Sequence, residues 1–182
     1  MKFRSSTMFS ILFVMSGSVF AQAPDPAAAC AALQQLQVPG VNLAVTKAEW
    51  IPAGSTPPGR GAPASNIKLP AYCRIDGMID KRTGAAGATY GIGFAIALPQ
   101  NWNGRFLLQG GGGLNGSVQA PIGASGAGAE PGLARGFAVA STDTGHEGRL
   151  GFDASFQQDQ QASLDFAYIA IGRFAQRNRP EK

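Results

Sequence analysis

The sequence predicts an α/β fold in which antiparallel strands come first and a strand–loop–strand–helix run follows. Glycine is abundant, with 25 residues among 182, and only 14% of the chain is charged, which favours a tightly turned fold with strands over a helical bundle. Short apolar runs of strand length fill the middle of the chain, and a helical pattern follows them. Such an order is typical of an α/β sheet that begins with antiparallel edge strands.

The first 21 residues have the pattern of an export signal. Lys2 and Arg4 form a charged start, residues 8–20 form a mostly apolar core, and Ala21 supplies a small residue at the cleavage position. The apolar core is shorter than the roughly 20 residues that a membrane span requires. We therefore expect cleavage after Ala21 and a periplasmic or secreted protein that is not attached to a membrane.

The charge of the mature chain argues against a nucleic-acid partner. The formal net charge of +4 loses two units with Lys2 and Arg4, so the mature chain is only weakly basic. The basic residues near the C-terminus are typical of a solvated helix face or a frayed end, and they are Arg173, Arg177, Arg179 and Lys182. No nucleic-acid partner is predicted.

The mature chain divides into a leader over residues 22–72 and a partial core over residues 73–182. The alanine-rich start of the leader predicts a short helix over residues 28–37. Residues 52–63 are rich in proline and glycine and have no periodic apolar pattern, so they are predicted to form a loop.

Two cysteines, Cys30 and Cys73, lie on either side of that loop. In an exported protein such a pair is most simply a disulfide, and closing a loop of this size stabilises a fold by about 4 kcal/mol in the chain-entropy model. A metal site is not expected, because two distant cysteines and one distant histidine have no ligand spacing. No cofactor is predicted either.

Strand patterns begin after Cys73. Residues 74–80 alternate apolar and polar side chains over part of their length, and Tyr90–Leu98 alternates large with small ones, which is typical of a strand packed mainly on one face. Residues 81–88 are predicted to join these two strands as a hairpin turn. Residues 99–104 form a second turn before the next strand.

The last predicted elements are a buried strand over residues 137–141 and an amphipathic helix. We expect this strand to be the exposed last strand of the sheet. From about residue 160, apolar residues recur at helical spacing, and they are Leu164, Tyr168, Ile171 and Ala175.

The chain is organised around residues 105–116, RFLLQGGGGLNG, in which a short apolar run ends abruptly in four glycines. This pattern predicts a buried strand that delivers a glycine loop to one edge of the sheet. Each glycine lowers the stability of a fold by about 0.5–1 kcal/mol relative to alanine, because glycine loses more conformational freedom on folding. We therefore expect either positive φ angles in this loop or amides that lie close to a bound group.

Three interpretations of the glycine loop compete. It can be the oxyanion loop of an esterase, whose amides stabilise a negative oxygen. It can be a dinucleotide fingerprint, because Gly111, Gly113 and Gly116 satisfy G-x-G-x-x-G; no helical pattern follows Gly116, however, and the acidic residue at a suitable distance, Glu130, ends no strand. It can also be a turn in a secreted binding or structural module.

Five motifs in order resemble the tannase and feruloyl esterase family, which includes the mono(2-hydroxyethyl) terephthalate hydrolases. They are LPAYC at residues 69–73, WNGRF at 102–106, QGGGGLNG at 109–116, RGFA at 135–138 and TDTGH at 142–146. The resemblance covers about residues 30–174. It implies an exported serine esterase with an α/β-hydrolase core, a large inserted lid and a Ser-His-Asp triad that acts on esters of aromatic carboxylic acids.

The resemblance also implies roles for three residues. Gly113, the last glycine of the run, matches the position whose backbone amide serves the oxyanion hole. Cys30 and Cys73 match a disulfide pair of close relatives.

The sequence departs from the family in one respect that bears on activity. The nucleophile elbow of the family, Gly-Cys-Ser-x-Gly-Gly, does not occur in the sequence. Residues 123–127, GASGA, are the most similar segment, but they lack the final glycine and a preceding strand, so we interpret them as a loop. In this fold the triad residues follow one another along the chain in the order Ser, Asp, His, so His146 cannot be the triad histidine. We expect His146 and Asp143 to be structural residues of a turn. We therefore expect the N-terminal portion of an α/β-hydrolase sheet, truncated and inactive alone; the alternative is a secreted, non-catalytic binding module.

Overall fold

The structure is a computed structural model that describes residues 25–54, 67–123, 130–148 and 152–175. The predicted export signal lies outside these residues, as do most of the predicted loop over residues 52–63 and the basic end of the chain after residue 175. Within the described part, no helix is long and apolar enough to cross a membrane.

Five strands form one mixed sheet, which confirms the predicted α/β class. Three antiparallel strands start the sheet, and a parallel pair completes it on the far side of the third strand. The strands are β1 (Leu43–Ile51), β2 (Tyr72–Thr83), β3 (Thr89–Pro99), β4 (Phe106–Gln109) and β5 (Ala138–Thr142). Their spatial order is β1-β2-β3-β5-β4.

The helices lie at the two ends of the described chain. The first is α1 (Pro26–Ala32), and the last helical run comprises α2 (Gln160–Leu164), one π-helical segment (Asp165–Ile169) and α3 (Ala170–Ala175). The helix predicted from about residue 160 is thus confirmed. The first helix begins and ends earlier than the predicted residues 28–37. It begins earlier because Asp25 caps α1, and the Asp25 carboxylate accepts the amide of Ala27 at 3.2 Å.

Two apolar clusters cover the two faces of the sheet, as the period of two along a strand requires. One face packs against the segments that follow the glycine loop, and the other packs against α1 and α3. The first cluster contains Ile51, Leu69, Tyr72, Ala97, Ala120, Ile122, Leu133 and Val139. The second contains Cys30, Cys73, Ile75, Ile79, Ile92, Phe94 and Ala170.

The alternation of large and small side chains in β3 reflects burial on both faces rather than on one. Ile92 and Phe94 pack toward the helices, while Gly93 faces the end of β5, where an added Cβ would overlap the carboxylate of Asp143. The small residues of β3 therefore let the chain beyond β5 approach the strand closely. The expectation of packing mainly on one face was wrong in this respect.

Strand β1 lies within the predicted leader, where the sequence pattern did not reveal it. It pairs with β2 over most of its length, but the register shifts between Val45 and Lys47. A bulge of this kind adds one residue and moves the following side chains to the opposite faces. The expected alternation is therefore broken in the middle of the strand.

Strand β5 is an interior strand, so the expectation that it is the exposed last strand was wrong. It pairs with β3 on one side and with β4 on the other. The edge strand on this side is β4, and among the described residues no strand pairs with its outer edge. The reason is that the chain leaves β3, skips the neighbouring position to form β4, and then returns to fill the skipped position as β5.

Candidate active site

The glycine loop follows β4 and lies beside the segment that follows β5. Because β4 and β5 are parallel, the carboxyl ends of both strands meet at one edge of the sheet, which is where open α/β sheets bind ligands. The loop over residues 110–116 therefore faces the segment over residues 143–148.

The centre of the loop is a tight turn built by glycine. The Asn115 amide donates to the Gly112 carbonyl at 3.0 Å, and Gly113 has a φ of 59°, a conformation that favours glycine. Among the described residues, the amides of Gly111, Gly112 and Gly113 donate to no protein acceptor, and all three residues are exposed. These amides are available to a ligand with a negative oxygen.

Backbone hydrogen bonds attach the far end of the loop to the segment after β5. The Gly116 amide donates to the Asp143 carbonyl at 3.1 Å, and the Gly148 amide donates to the Gly116 carbonyl at 2.8 Å. A Cβ at Gly116 would lie 2.6 Å from the Gly148 nitrogen, so only glycine permits this approach. The glycine turn is therefore held in place at its C-terminal side.

Asp143 joins β3 to the turn after β5. Its Oδ1 accepts the Gly93 amide at 3.0 Å and the Gly145 amide at 2.8 Å, and its side chain is buried. This confirms the prediction that Asp143 bonds local amides, and it adds a contact to a strand 50 residues away. Burial raises the pKa of the Asp143 carboxyl to about 7, and the Gly145 and Gly93 amides oppose this shift.

His146 is packed between aromatic rings and is 3% exposed. Its imidazole stacks on Phe156 with ring centroids 3.9 Å apart, and Phe166 meets it edge-on. Neither ring nitrogen has a hydrogen-bond partner of good geometry among the described residues. Burial lowers the pKa of His146, and the Leu114 carbonyl opposes part of that shift.

The surroundings of His146 fit a structural residue and not a catalytic base. A general base must reach the proton that it accepts, directly or through one water, and no serine hydroxyl of the described residues is hydrogen-bonded to this ring. Its Nε2 faces the glycine loop, because a Cβ at Gly116 would lie 3.1 Å from it. The ring therefore packs against the glycine loop, a contact that the sequence did not predict, although it did predict a structural role for His146.

Three polar residues that the sequence did not single out hold the loop and its continuation. Gln109, at the end of β4, accepts the Gly123 amide at 2.8 Å and donates to the Ala120 carbonyl at 3.3 Å. The Ser141 hydroxyl accepts the Gln119 amide at 3.0 Å, which gives this buried serine a structural role. The third residue is Asn115, whose Nδ2 donates to the Thr142 carbonyl at 2.6 Å.

A signal for Gln109 existed in the sequence. A polar residue directly between an apolar strand and a glycine run is buried at the strand end, where it must find hydrogen-bond partners. Ser125, the serine of the elbow-like sequence at residues 123–127, lies outside the described residues.

Cys30 and Cys73 form a disulfide with their Cα atoms 5.5 Å apart. It joins α1 to β2 and belongs to the apolar cluster under the helices, away from the glycine loop. Among the described residues, no group of three histidine, cysteine or acidic side chains is placed to hold a metal ion.

Comparison with known proteins identifies the family of this chain. The family model described as tannase and feruloyl esterase matches residues 73–179. The chain belongs to the tannase and feruloyl esterase family, as the five sequence motifs predicted.

The names of similar curated proteins agree with this family. Mono(2-hydroxyethyl) terephthalate hydrolase from Piscinibacter sakaiensis is 36% identical over 160 residues, which cover 82% of this chain and 26% of the relative. Probable feruloyl esterase B-2 from Aspergillus flavus is 42% identical over 76 residues, covering 42% of this chain and 13% of the relative. The chain thus spans about a quarter, or less, of the length of these relatives.

A solved structure confirms the α/β-hydrolase type of the fold. The crystal structure of feruloyl esterase B from Aspergillus oryzae matches with a TM-score of 0.59 and 30% identity over 81% of this chain and 27% of that chain. A second crystal structure, of an esterase from the same organism, matches with the same TM-score and coverage at 24% identity.

Proposed function

We propose that this chain is the N-terminal part of an exported serine carboxylesterase and supplies one half of its oxyanion site. In this proposal residues 1–21 are the signal peptide, residues 22–72 form the leader and residues 73–182 form a partial α/β-hydrolase core. The proposed substrate is a small-molecule ester of an aromatic carboxylic acid. No nucleic acid, membrane or cofactor takes part.

The glycine turn carries the proposal. When a serine attacks an ester carbonyl, the carbonyl oxygen gains a negative charge, and preorganised N–H groups at about 3 Å stabilise it by roughly 3 kcal/mol each. Gly113 has the positive φ of a turn residue, and its amide donates to no acceptor among the described residues. In the proposal this amide is the donor that the turn presents.

The position of the turn supports the same role. In α/β-hydrolases one oxyanion amide comes from a glycine-rich loop after a central strand, and the other comes from the residue after the nucleophile. The turn follows β4, whose outer edge is open among the described residues. A further parallel strand at this edge would bring a nucleophile elbow beside Gly113.

The catalytic triad is assigned to sequence outside this chain. His146 is stacked on Phe156, Asp143 is committed to two backbone amides, and Ser141 accepts the Gln119 amide. None of these three contacts another in a nucleophile–base arrangement. Acyl transfer needs a nucleophile, a base and an orienting group, so we propose that the chain is inactive alone.

The names of the relatives support the substrate class. One relative is named for an ester of terephthalate and others for feruloyl esters, and both acids are aromatic carboxylic acids. The disulfide between Cys30 and Cys73 supports an oxidising compartment, and therefore the periplasm or the exterior of the cell.

A two-part assay tests this proposal. Residues 22–182 are assayed alone, and they are also assayed in a chimera in which they replace the matched segment of the Piscinibacter sakaiensis hydrolase. We expect the chimera to hydrolyse methyl gallate, methyl ferulate or p-nitrophenyl acetate with turnover that a serine-directed phosphonate abolishes. Residues 22–182 alone should show no turnover.

The controls separate folding from function. Circular dichroism and gel filtration establish that the chimera is folded, and a folded chimera without turnover would refute the proposed role. Calorimetry of residues 22–182 with methyl gallate and methyl ferulate tests the alternative of a binding module. Reversible binding to the chain alone, together with an inactive chimera, would support that alternative.

A further inference from the structure

We infer that Asn115 is a positioning residue of the oxyanion site, which sets where the Gly113 amide points. This inference rests on the proposed function and adds a residue to it. Asn115 lies two positions after Gly113 and makes three separate contacts that fix the glycine turn.

The first contact closes the turn. The Asn115 amide donates to the Gly112 carbonyl at 3.0 Å, which makes Gly113 and Leu114 the two central residues of a β-turn. Gly113 has a φ of 59°, and the φ of Leu114 is not positive. A positive φ at only the first central position is the pattern of a type II′ turn.

Asn115 itself has a φ of 42°. Asparagine tolerates this left-handed conformation better than other residues with a side chain, apart from aspartate. Two left-handed residues within three positions fix a sharp path of the backbone, and the residue at position 115 must be compatible with it.

The second contact ties the turn to the sheet. The Asn115 Nδ2 donates to the Thr142 carbonyl at 2.6 Å, and Thr142 is the last residue of β5. The turn is thereby attached to the strand next to β4, and not only to the strand that precedes it. Thr142 is in turn fixed to β3, since its hydroxyl donates to the Gly93 carbonyl at 2.9 Å.

The third contact covers the start of the turn. A Cβ added at Gly111 would overlap the side-chain amide of Asn115, so this amide lies directly over the Gly111 backbone. Gly111 and Asn115 are therefore a matched pair, in which the small residue leaves room for the amide.

The consequence for catalysis follows from the geometry. A displacement of about 1 Å in a catalytic group can cost on the order of 10²-fold in rate. Without the Asn115 side chain, the loop keeps its attachment through Gly116 to Asp143 and Gly148. The fold should therefore survive, while the Gly113 amide loses its fixed direction.

The test uses Asn115→Asp and Asn115→Gly in the chimera. Aspartate keeps the size and the tolerance of a positive φ but places an oxygen against the Thr142 carbonyl, and glycine removes the side chain without repulsion. We expect kcat to fall by about 10- to 100-fold in both variants. KM should change by less than about 3-fold, because the oxyanion contact forms in the transition state.

Asn103→Asp is the matched control. The Asn103 Nδ2 donates to the Arg135 carbonyl at 2.7 Å, so the same kind of bond is lost in the turn before β4, at the other end of the strand. This variant should lower the melting temperature without lowering kcat by more than about 2-fold. Equal effects of the two aspartate variants on kcat would overturn the inference.

A measurement on residues 22–182 keeps the inference testable even if the chimera is inactive. Hydrogen exchange by NMR should show that Asn115→Gly loses protection of the amides at positions 115 and 116 relative to Asn103→Asp. Unchanged protection at both positions would refute the positioning role. A wild-type chimera without turnover would instead refute the proposed function.

Discussion

At the scale of single residues, the fold changes the acidity of Asp143 strongly, because burial raises the pKa of its carboxyl to about 7. It accepts two backbone amides through one oxygen and lies against β3 where only glycine fits. Its sequence context predicted bonds to local amides, of which the structure shows Gly145, but not the bond to Gly93, because the sequence does not show which strand lies beside the turn. The buried position, and with it the raised pKa, depends on that neighbour.

The raised pKa of Asp143 predicts a stability that falls as the pH rises. An acid whose pKa is about 7 in the folded state and 3.8 when unperturbed stabilises the fold fully below about pH 3.8. That contribution is lost as the pH increases through about 7. At about 1.4 kcal/mol per pKa unit, the loss is about 4 kcal/mol.

This loss of stability is measured by urea unfolding of residues 22–182 between pH 3.5 and pH 8, in the wild type and in the variant Asp143→Asn. Asparagine keeps an oxygen that can accept both amides and does not titrate. We expect the wild type to lose stability relative to the variant across this window. Parallel pH profiles of the two proteins would show that the fold does not raise the pKa of Asp143.

At the scale of secondary-structure elements, the sequence predicted strands more reliably than their positions in the sheet. Strands β2 to β5 and the last helix were predicted within about two or three residues at most ends, because apolar runs of strand length or apolar residues at helical spacing mark them. Strand β1 was missed because a bulge between Val45 and Lys47 breaks its alternation. The order β3-β5-β4 could not be read from the chain, since it depends on a crossover and not on local pattern.

The disulfide is the element-scale contact with the clearest effect on stability. It closes a loop of 43 residues between α1 and β2, for which chain entropy predicts about 4 kcal/mol. We expect the double variant Cys30→Ala and Cys73→Ala to lose about this amount in urea unfolding under oxidising conditions. Non-reducing peptide mapping of the wild type should find the two cysteines in one linked peptide pair.

The reduced wild type is the matched control for this prediction. It should unfold at the same urea concentration as the double variant, because both lack the cross-link. Two free thiols in exported wild-type protein, or equal stability of the oxidised and reduced forms, would contradict the assignment.

At the scale of the whole molecule, the sheet places the glycine turn at its carboxyl edge, where we propose that one half of an esterase site lies. The family could be recognised from sequence because its motifs are short and continuous, and two of the five, at residues 109–116 and 142–146, are the glycine turn and the segment that contacts it. The supporting contacts of Gln109 and Asn115 could not be predicted, because their partners at Gly123 and Thr142 are distant in sequence. The chain spans 26% of the Piscinibacter sakaiensis relative, so activity has to be tested with the remaining sequence present.

The central claim is that the backbone amide of Gly113 stabilises the oxyanion, and Gly113→Val in the chimera tests it most directly. A β-branched residue cannot readily adopt the φ of 59° at this position, so the amide must move. Gly104→Val is the matched control, because Gly104 has a φ of 82° and open space around it in the turn before β4. Both variants carry a similar backbone strain, but only one changes the proposed donor.

The measurement is the steady-state kinetics of both variants with methyl gallate or p-nitrophenyl acetate. We predict that Gly113→Val lowers kcat by about 10²-fold or more with a smaller change in KM, while Gly104→Val lowers only thermal stability. A folded Gly113→Val chimera with the kcat of the wild type would contradict the account.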